Sequence, residues 1–414
     1  MTILDHILIV FWVLSWGLIG IIYAHAMGLS LFGLRKWVRM SERIPKNRFA
    51  IIIPAHNEET VLGDLLRDLE EQDYPQDLYE VYVVADNCTD LTSEIAKSIP
   101  GVRIFHRTGG DGSKGGAIRY ALEHLLFSSK SEERPPHDAF VFFDADNRVS
   151  RNFLARMNSE LCEGHRFIQG HLGTKNPYEN WVTRVIFLSY CMTNRLWQLG
   201  KRRANLPSQC GGTGFCIDRE ALEDLGWPMT SVTEDLEMVC LLAQKGIFPI
   251  WCHDAVVFDE KPTRLRVALN QRVRWMRGHF TNLFRYFIPL MTAGIARRNP
   301  RILDCALYLL YPLCVMTIGI QGILWLLNVT VAPNLLVVRP SFPLLVAIVA
   351  MLTYYPAVGI YLETKSRREL AYIPLLLIFN WIWVAACFIA AFTCRDRRWY
   401  HTPHRAALDQ GIRL

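Results

Sequence analysis

The chain has 414 residues, enough for two or three domains of ordinary size. Hydrophobic residues make up 51% and charged residues 20%, which excludes a disordered chain and points to a part that lives in lipid. Its 45 basic and 39 acidic residues leave a net charge of +6, too small for a nucleic-acid footprint, so no nucleic-acid partner is expected. The 11 cysteines contain no CxxC pair, which argues against a zinc ribbon or a disulfide framework.

From Ile7 to Leu34 there is no Asp, Glu, Lys or Arg. At about 1.5 Å per residue this run exceeds a hydrocarbon core of roughly 30 Å, and it predicts a membrane helix. A cleaved signal peptide is disfavoured, because the leading residues offer Asp5 and no Lys or Arg. The flank Arg35, Lys36 and Arg39, continuing to Arg43, Lys46 and Arg48, places the long polar region after it on the cytoplasmic side.

Next comes an alternation of strand, loop and helix. Phe49 to Pro54 is a short apolar run, followed by Ala55-His56-Asn57-Glu58-Glu59 and then by Val61, Leu62, Leu65, Leu66 and Leu69 at helical spacing. The unit repeats with strand Val81 to Ala85, ending at Asp86-Asn87, and a helix from about Leu91 to Ser98. Val102 to Phe105 reads as a strand, Gly109 to Gly116 as a loop and Ala117 to Phe127 as a helix; a strand from Ala139 to Phe143 then ends at Asp144-Ala145-Asp146. Continuous apolar strands alternating with helices indicate an α/β domain with a parallel sheet covered on both faces, whose ligands bind at the carboxyl ends of the strands. No GxGxxG follows the first strand and no GxxxxGK[ST] occurs, so neither a dinucleotide cofactor nor a P-loop is supported.

Several groups in this region carry chemistry. Asp144 and Asp146 are two apart after a buried strand, which turns both carboxylates to one side, where hard oxygen ligands suit magnesium or manganese holding a diphosphate. A capping or solvated role is the equal alternative for this pair taken alone. Asp111-Gly112-Ser113-Lys114-Gly115-Gly116 opens a helix whose amides and lysine suit phosphate, or else forms a surface turn. Cys210-Gly211-Gly212-Thr213-Gly214-Phe215 fits close backbone approach to a ligand, or a tight turn. Thr233-Glu234-Asp235 precedes a helix and reads either as an N-cap or as a general base near a sugar hydroxyl.

From Leu265 to Met291, apolar residues interleave with Arg264, Arg266, Arg272, Arg274, Arg277 and Arg285, as in amphipathic helices at a membrane surface. Three further stretches are long enough to span: Cys305 to Leu327, Ser341 to Leu362 and Leu370 to Cys394. Three crossings after a cytoplasmic domain put the tail outside, yet Arg395, Arg397, Arg398 and Arg405 favour the inside. Either one late segment is re-entrant or the tail breaks the rule.

In order, Pro54-Ala55-His56-Asn57-Glu58, Asp86, Asp144-Ala145-Asp146, Thr233-Glu234-Asp235 and Gln271-Arg272-Val273-Arg274-Trp275 form the set PxxNE, Asp, DxD, TED and QxxRW. This set resembles that of the family-two membrane-integrated glycosyltransferases, the group of cellulose, chitin, hyaluronan and poly-N-acetylglucosamine synthases. The resemblance implies a glycosyltransferase A-type α/β fold with a parallel-rich sheet, about four transmembrane helices and amphipathic interfacial helices. It implies an N-terminal helix and flank over 1–46, a cytoplasmic glycosyltransferase domain over 47–262, interfacial helices over 263–300, membrane helices over 301–394 and a basic tail over 395–414.

By the same resemblance, His56, Glu58, Asp86, Lys114, Asp144, Gln271 and Arg274 bind a UDP-sugar, and Asp144 and Asp146 hold a magnesium or manganese ion. Asp235 is the base that deprotonates the acceptor, with inversion at the anomeric carbon. Gly212, Thr213, Glu234 and Trp275 face the acceptor. The implied activity is transfer to a growing glycan; the alternative is one transfer to a membrane lipid, which suits a membrane domain smaller than that of the large polymer synthases. A catalytically silent nucleotide-sugar sensor is the reading from another class, opposed by the retained base, acid pair and QxxRW. The implied location is the bacterial inner membrane, with room for an export partner or a homo-oligomer.

Overall fold

The computed structural model describes residues 3–39, 41–110, 112–127, 136–331, 337–338 and 340–394. Asp111 of the glycine-rich loop and the basic tail, with Arg395, Arg397, Arg398 and Arg405, lie outside the described residues. The chain forms two compact units, one made of Lys36–Phe187 and Leu206–Thr263, the other of the residues up to Arg35, Leu188–Asn205 and the residues from Arg264 onward. Elements are numbered along the chain, which opens with helix α1 (Ile3–Gly33).

The first of these units is built on one mixed sheet. Its strands are β1 (Phe49–Ala55), β2 (Tyr79–Asp86), β3 (Val102–Arg107), β4 (Ala139–Phe142), β5 (Arg148–Val149), β6 (Phe167–Thr174), β7 (Phe215–Asp218) and β8 (Pro249–Asp259), in spatial order β3-β2-β1-β4-β7-β6-β8-β5. Pairing is parallel from β3 through β2 and β1 to β4, and again between β6 and β8. It is antiparallel where β7 joins β4 to β6 and where β5 meets β8. The first four strands, with α2 (Leu62–Glu70), α3 (Thr92–Ser98) and α4 (Lys114–Leu122), follow the alternation read from the sequence.

Continuous burial of Phe49 to Ile53, Val81 to Ala85 and Ala139 to Phe143 explains why these strands read as unbroken apolar runs. Helices α5 (Phe153–Cys162), α6 (Trp181–Met192), α8 (Arg219–Leu225) and α9 (Glu234–Gln244) complete the connections. Because β7 runs against its neighbours, its amino end lies at the same edge as the carboxyl ends of β1, β2, β4, β6 and β8. Every loop that carries a motif of this unit opens on that edge.

The second unit contains α1, a π-helical turn (Thr193–Gln198), α7 (Leu199–Arg203), α10 (Leu265–Ala296), α11 (Pro300–Leu309), α12 (Tyr311–Thr330), α13 (Phe342–Thr364) and α14 (Ile373–Thr393). Among the described residues, four segments are long and apolar enough to cross a membrane: Ile3–Gly33, Tyr311–Thr330, Phe342–Thr364 and Arg368–Thr393. Large apolar side chains along them, such as Leu14, Trp325, Phe342 and Phe392, are exposed, as lipid-facing residues should be.

The first late span starts at Tyr311 rather than at Cys305, because Pro300 opens a separate helix that ends at Leu309 and Pro312 stands in the first turn of the next. The stretch expected to hold several interfacial helices is one 32-residue helix, α10, with Pro289 inside it.

Polar contacts tie this unit together. Gln321 Nε2 of α12 donates to Ser15 Oγ of α1 at 2.7 Å. An added Cβ at Gly200 would lie 2.5 Å from the Leu29 carbonyl oxygen, so α7 and α1 meet backbone to backbone. Beside this contact, buried Lys201 pairs with buried Asp304 of α11 at 2.6 Å, His25 Nε2 of α1 lies 2.9 Å from Asp304 Oδ1, and the ammonium lies 4.8 Å from the Trp197 ring. Removing one partner leaves a buried charge uncompensated. Lys201→Met is therefore predicted to destabilise this unit by about 3–5 kcal/mol in detergent unfolding, with Lys201→Met/Asp304→Leu much milder; equal loss in both variants would contradict the pairing.

Candidate active site

The loops after β1 and β2 are laced together before any ligand is considered. His56 Nδ1 lies 2.7 Å from the Asp86 carbonyl oxygen, Thr89 N donates to Asn57 Oδ1 at 2.8 Å, and Glu58 N donates to Thr92 Oγ1 at 2.8 Å. Asn57 holds a left-handed φ of 56°, a conformation asparagine tolerates better than most residues, and this turns the PxxNE loop across the strand end. Asp86 closes β2 and is buried; its Oδ2 accepts Arg107 Nη1 at 2.8 Å. No sequence motif marks Arg107. The parallel register that sets it opposite Asp86 shows only once β2 and β3 are paired.

The turn after β4 is fixed by two neutral side chains. Asp144 N donates to Thr213 Oγ1 at 3.0 Å and to Asn147 Oδ1 at 3.1 Å, and the Thr213 hydroxyl in turn donates to Asn147 Oδ1. Asn147 Nδ2 donates to Asp146 Oδ1 at 3.2 Å. Both Thr213 and Asn147 are buried, so Thr213, expected at the acceptor, spends its hydroxyl on the DxD turn. Asn147 lies one residue beyond the DxD motif, and nothing in the sequence marks it. The carboxylates differ in setting, with Asp146 buried and the Asp144 side chain 38% exposed. Two carboxylates on one rigid turn form an oxygen-only donor set that fits magnesium or manganese.

Lys114 joins this turn to Thr233-Glu234-Asp235. It is the first residue of α4, whose N-cap Ser113 accepts Gly116 N at 3.0 Å. Its ammonium pairs with Asp144, donates to the Gly212 carbonyl oxygen at 2.7 Å and lies 4.0 Å from Glu234 Oε1. Burial pulls the Lys114 pKa down, but Asp144 and Glu234, with a smaller push from Asp235, carry it above its ordinary value, so the cation is secure at neutral pH.

Gly212 has φ +78°, and a Cβ there would stand 3.3 Å from Asp235 Oδ2, which shows how closely that carboxylate approaches the loop. Asp235 Oδ1 accepts Leu236 N at 2.8 Å. Thr233 is the N-cap of α9 but makes no side-chain capping bond, and the loop before the helix is held instead by buried Glu237, which accepts Thr230 N at 2.7 Å and Ser231 N at 2.6 Å. The structure thus brings Lys114, Asp144, Asp146, Gly212, Thr213, Glu234 and Asp235 to one edge, and His56, Glu58 and Asp86 to the loops of β1 and β2.

Gln271, Arg274 and Trp275 belong to the other unit, on α10. There the Trp275 ring stacks on Trp383 of α14 at 6.1 Å, and buried Arg272 lies 5.0 Å from the Trp383 ring and 4.9 Å from that of Phe379. Arg277 Nε donates to Thr393 Oγ1 at 2.9 Å, so α10 is pinned along α14.

Residues 45–278 match the profile of the family described as "Glycosyltransferase like family 2". A Bacillus subtilis protein described as probable glycosyltransferase YdaM is 26% identical over 284 residues, which cover 64% of this chain and 65% of that protein. The beta-monoglucosyldiacylglycerol synthase of Synechocystis sp. is 24% identical over 406 residues, covering 90% of this chain and 78% of that one. Among solved structures, the mannosyltransferase PcManGT from Pyrobaculum calidifontis, in complex with GDP-Man and Mn2+, superposes with a TM-score of 0.59 at 20% identity, covering 95% of this chain and 99% of its own. That likeness shows the fold, which is glycosyltransferase A-type.

Replacing Thr213 by the isosteric Val would remove two hydrogen bonds of the buried turn, leaving Asp144 N and Asn147 Oδ1 only their bond to each other. Thr213→Val is predicted to cost about 1–3 kcal/mol in chemical denaturation, with Thr213→Ser close to wild type; a neutral Val substitution would contradict the role given to the hydroxyl.

Proposed function

Because the chain belongs to glycosyltransferase-like family 2 and is a glycosyltransferase, we propose that it transfers a sugar, with inversion, from a UDP-sugar to a hydroxyl of a membrane-delivered acceptor. The observation that carries this reading is the single lysine, Lys114, that draws the DxD turn and the TED loop together. In this reading His56, Glu58 and Asp86 receive the nucleoside. Lys114, Asp144 and Asp146 face the diphosphate, and Gly212, Glu234 and Asp235 face the acceptor. A magnesium or manganese ion held by Asp144 and Asp146 would screen the diphosphate as negative charge gathers on it. The Mn2+ and GDP-Man of the Pyrobaculum enzyme support a divalent cation and a nucleoside diphosphate sugar, and the uracil base is our own assignment.

Asp235 takes the proton of the acceptor hydroxyl as that oxygen forms its bond to the anomeric carbon. The carbon–phosphate oxygen bond breaks with its electron pair leaving on the diphosphate, and one displacement on the opposite face inverts the centre. Lys114 stabilises the leaving group more than the ground state, because the charge on the bridging oxygen exists only once the bond breaks. From the QxxRW motif alone, Arg274 is assigned to the leaving diphosphate, the Trp275 indole to the acceptor sugar and Gln271 to the donor.

The basic flank after α1 favours a cytoplasmic catalytic domain, over about residues 47–262, at a bacterial inner membrane. Two acceptors are supported by different observations. A growing glycan suits an indole platform at Trp275, since a stacking surface serves a sugar already added. A membrane lipid suits the Synechocystis lipid glucosyltransferase, whose match takes in 90% of this chain and extends well past the family segment.

Detergent-purified protein should release UDP from one UDP-sugar with magnesium or manganese, and product sizing separates the acceptors, a ladder for a glycan and one extractable species for a lipid. Asp235→Asn should bind UDP-sugar normally and lose transfer by about 10²–10⁴-fold, since an amide takes no proton; near-normal transfer would remove Asp235 as the base. Asp146→Ala should weaken metal-dependent nucleotide binding, and unchanged metal dependence would remove it from the donor set.

A further inference from the structure

Three lysines are buried among the described residues: Lys175, Lys201 and Lys261. Lys201 pairs with Asp304 at 2.6 Å, and Lys261 donates to Asp259 Oδ2 at 2.7 Å. Lys175 is 7% exposed, and it has no carboxylate within 4.0 Å among the described residues. Its Nζ donates instead, at a long 3.3 Å, to the carbonyl oxygen of Asp146. Burying an ammonium against one neutral acceptor is costly, and buried charges are as a rule paired, so an anion at Lys175 would relieve the cost.

The placement of Lys175 is rigid. It follows the last residue of β6, and its own N–H donates to the Asp259 carbonyl oxygen at 2.9 Å, which continues the pairing of β6 with β8 past Thr174. The side chain therefore leaves from the edge where the carboxyl ends of β4, β6 and β8 gather. The ammonium reaches the DxD turn at Asp146, while Lys114 reaches it at Asp144.

We propose that Lys175 is a second phosphate-binding cation of this site, which bonds a phosphate oxygen at the DxD turn. The inference rests on the nucleotide-sugar reading above. Two sources offer the same chemistry: the terminal phosphate of the donor's diphosphate and a phosphate on an anionic acceptor lipid. The contact with Asp146 favours the first, because that carboxylate belongs to the pair assigned to the diphosphate.

Calorimetry on the detergent-purified full chain separates the outcomes, with UDP, UMP and dihexanoyl phosphatidate as probes and the wild type, Lys175→Gln and Lys175→Arg as proteins. Lys175→Gln should weaken UDP binding about 10- to 100-fold, the loss expected for one charge-assisted hydrogen bond, while UMP binding stays within about twofold and Lys175→Arg recovers most of the UDP affinity. A loss confined to phosphatidate would keep the phosphate-binding role and assign it to the acceptor. Unchanged binding of all three probes would overturn the inference, as would parallel loss of UDP and UMP with a lowered melting temperature, which marks a structural tether. Wild-type protein that binds neither UDP nor UMP would instead overturn the nucleotide-sugar reading.

Discussion

The edge of the sheet gathers negative charge around one central cation. Asp144, Asp146, Glu234 and Asp235 approach from two loops far apart in sequence, and without compensation their repulsion would drive those loops apart. Lys114 sits among them, paired with Asp144, bonded to the Gly212 carbonyl and within reach of Glu234. Burial disfavours its charge, yet the acids around it hold its pKa above the ordinary lysine value. A group with a raised pKa keeps its charge, and the stability it brings, at every pH below the ordinary value of about 10.4, and loses both only at still more alkaline pH. Over the physiological range the lysine is thus a fixed countercharge.

That constraint explains much of the local sequence. A side chain at Gly212 would crowd the Asp235 carboxylate, in a backbone conformation that side chains disfavour. Thr213 and Asn147 fix the backbone of the DxD turn with neutral hydrogen bonds, Asn147 also holds the Asp146 carboxylate, and the Asp144 carboxylate is left to pair with Lys114. The antiparallel strand β7 matters for the same reason: its reversed direction brings the Gly212 loop to the edge where the parallel strands end. The chemistry needs a base beside an anion site, and the topology of the sheet delivers both.

The first four strands and their helices were legible in sequence because each is a continuous apolar run followed by helical spacing, which is how a strand buried on both faces reads. The second half of the sheet was not. β5 has two residues, β7 has four, and β6 interrupts its apolar positions with Gln169, Gly170 and Gly173, so no periodic signal survives. The motif residues Asp144, Asp146, Glu234 and Asp235 were visible as types in order, but their convergence on Lys114 was not. Arg107, Asn147 and Lys175 escaped for a related reason: each matters through a partner supplied by another strand or turn, at Asp86, Thr213 and Asp146. In the apolar unit, span lengths were close, while the helix break at Leu310 and the unbroken run of α10 depend on packing rather than on composition.

The central claim is a single displacement assisted by one carboxylate, and stereochemistry tests it most directly. With a UDP-α-sugar as donor, the anomeric proton coupling of the newly transferred sugar, read by NMR on the first product formed, should show the β configuration. An α-linked product would contradict the account, since retention requires a second displacement or a different face of attack.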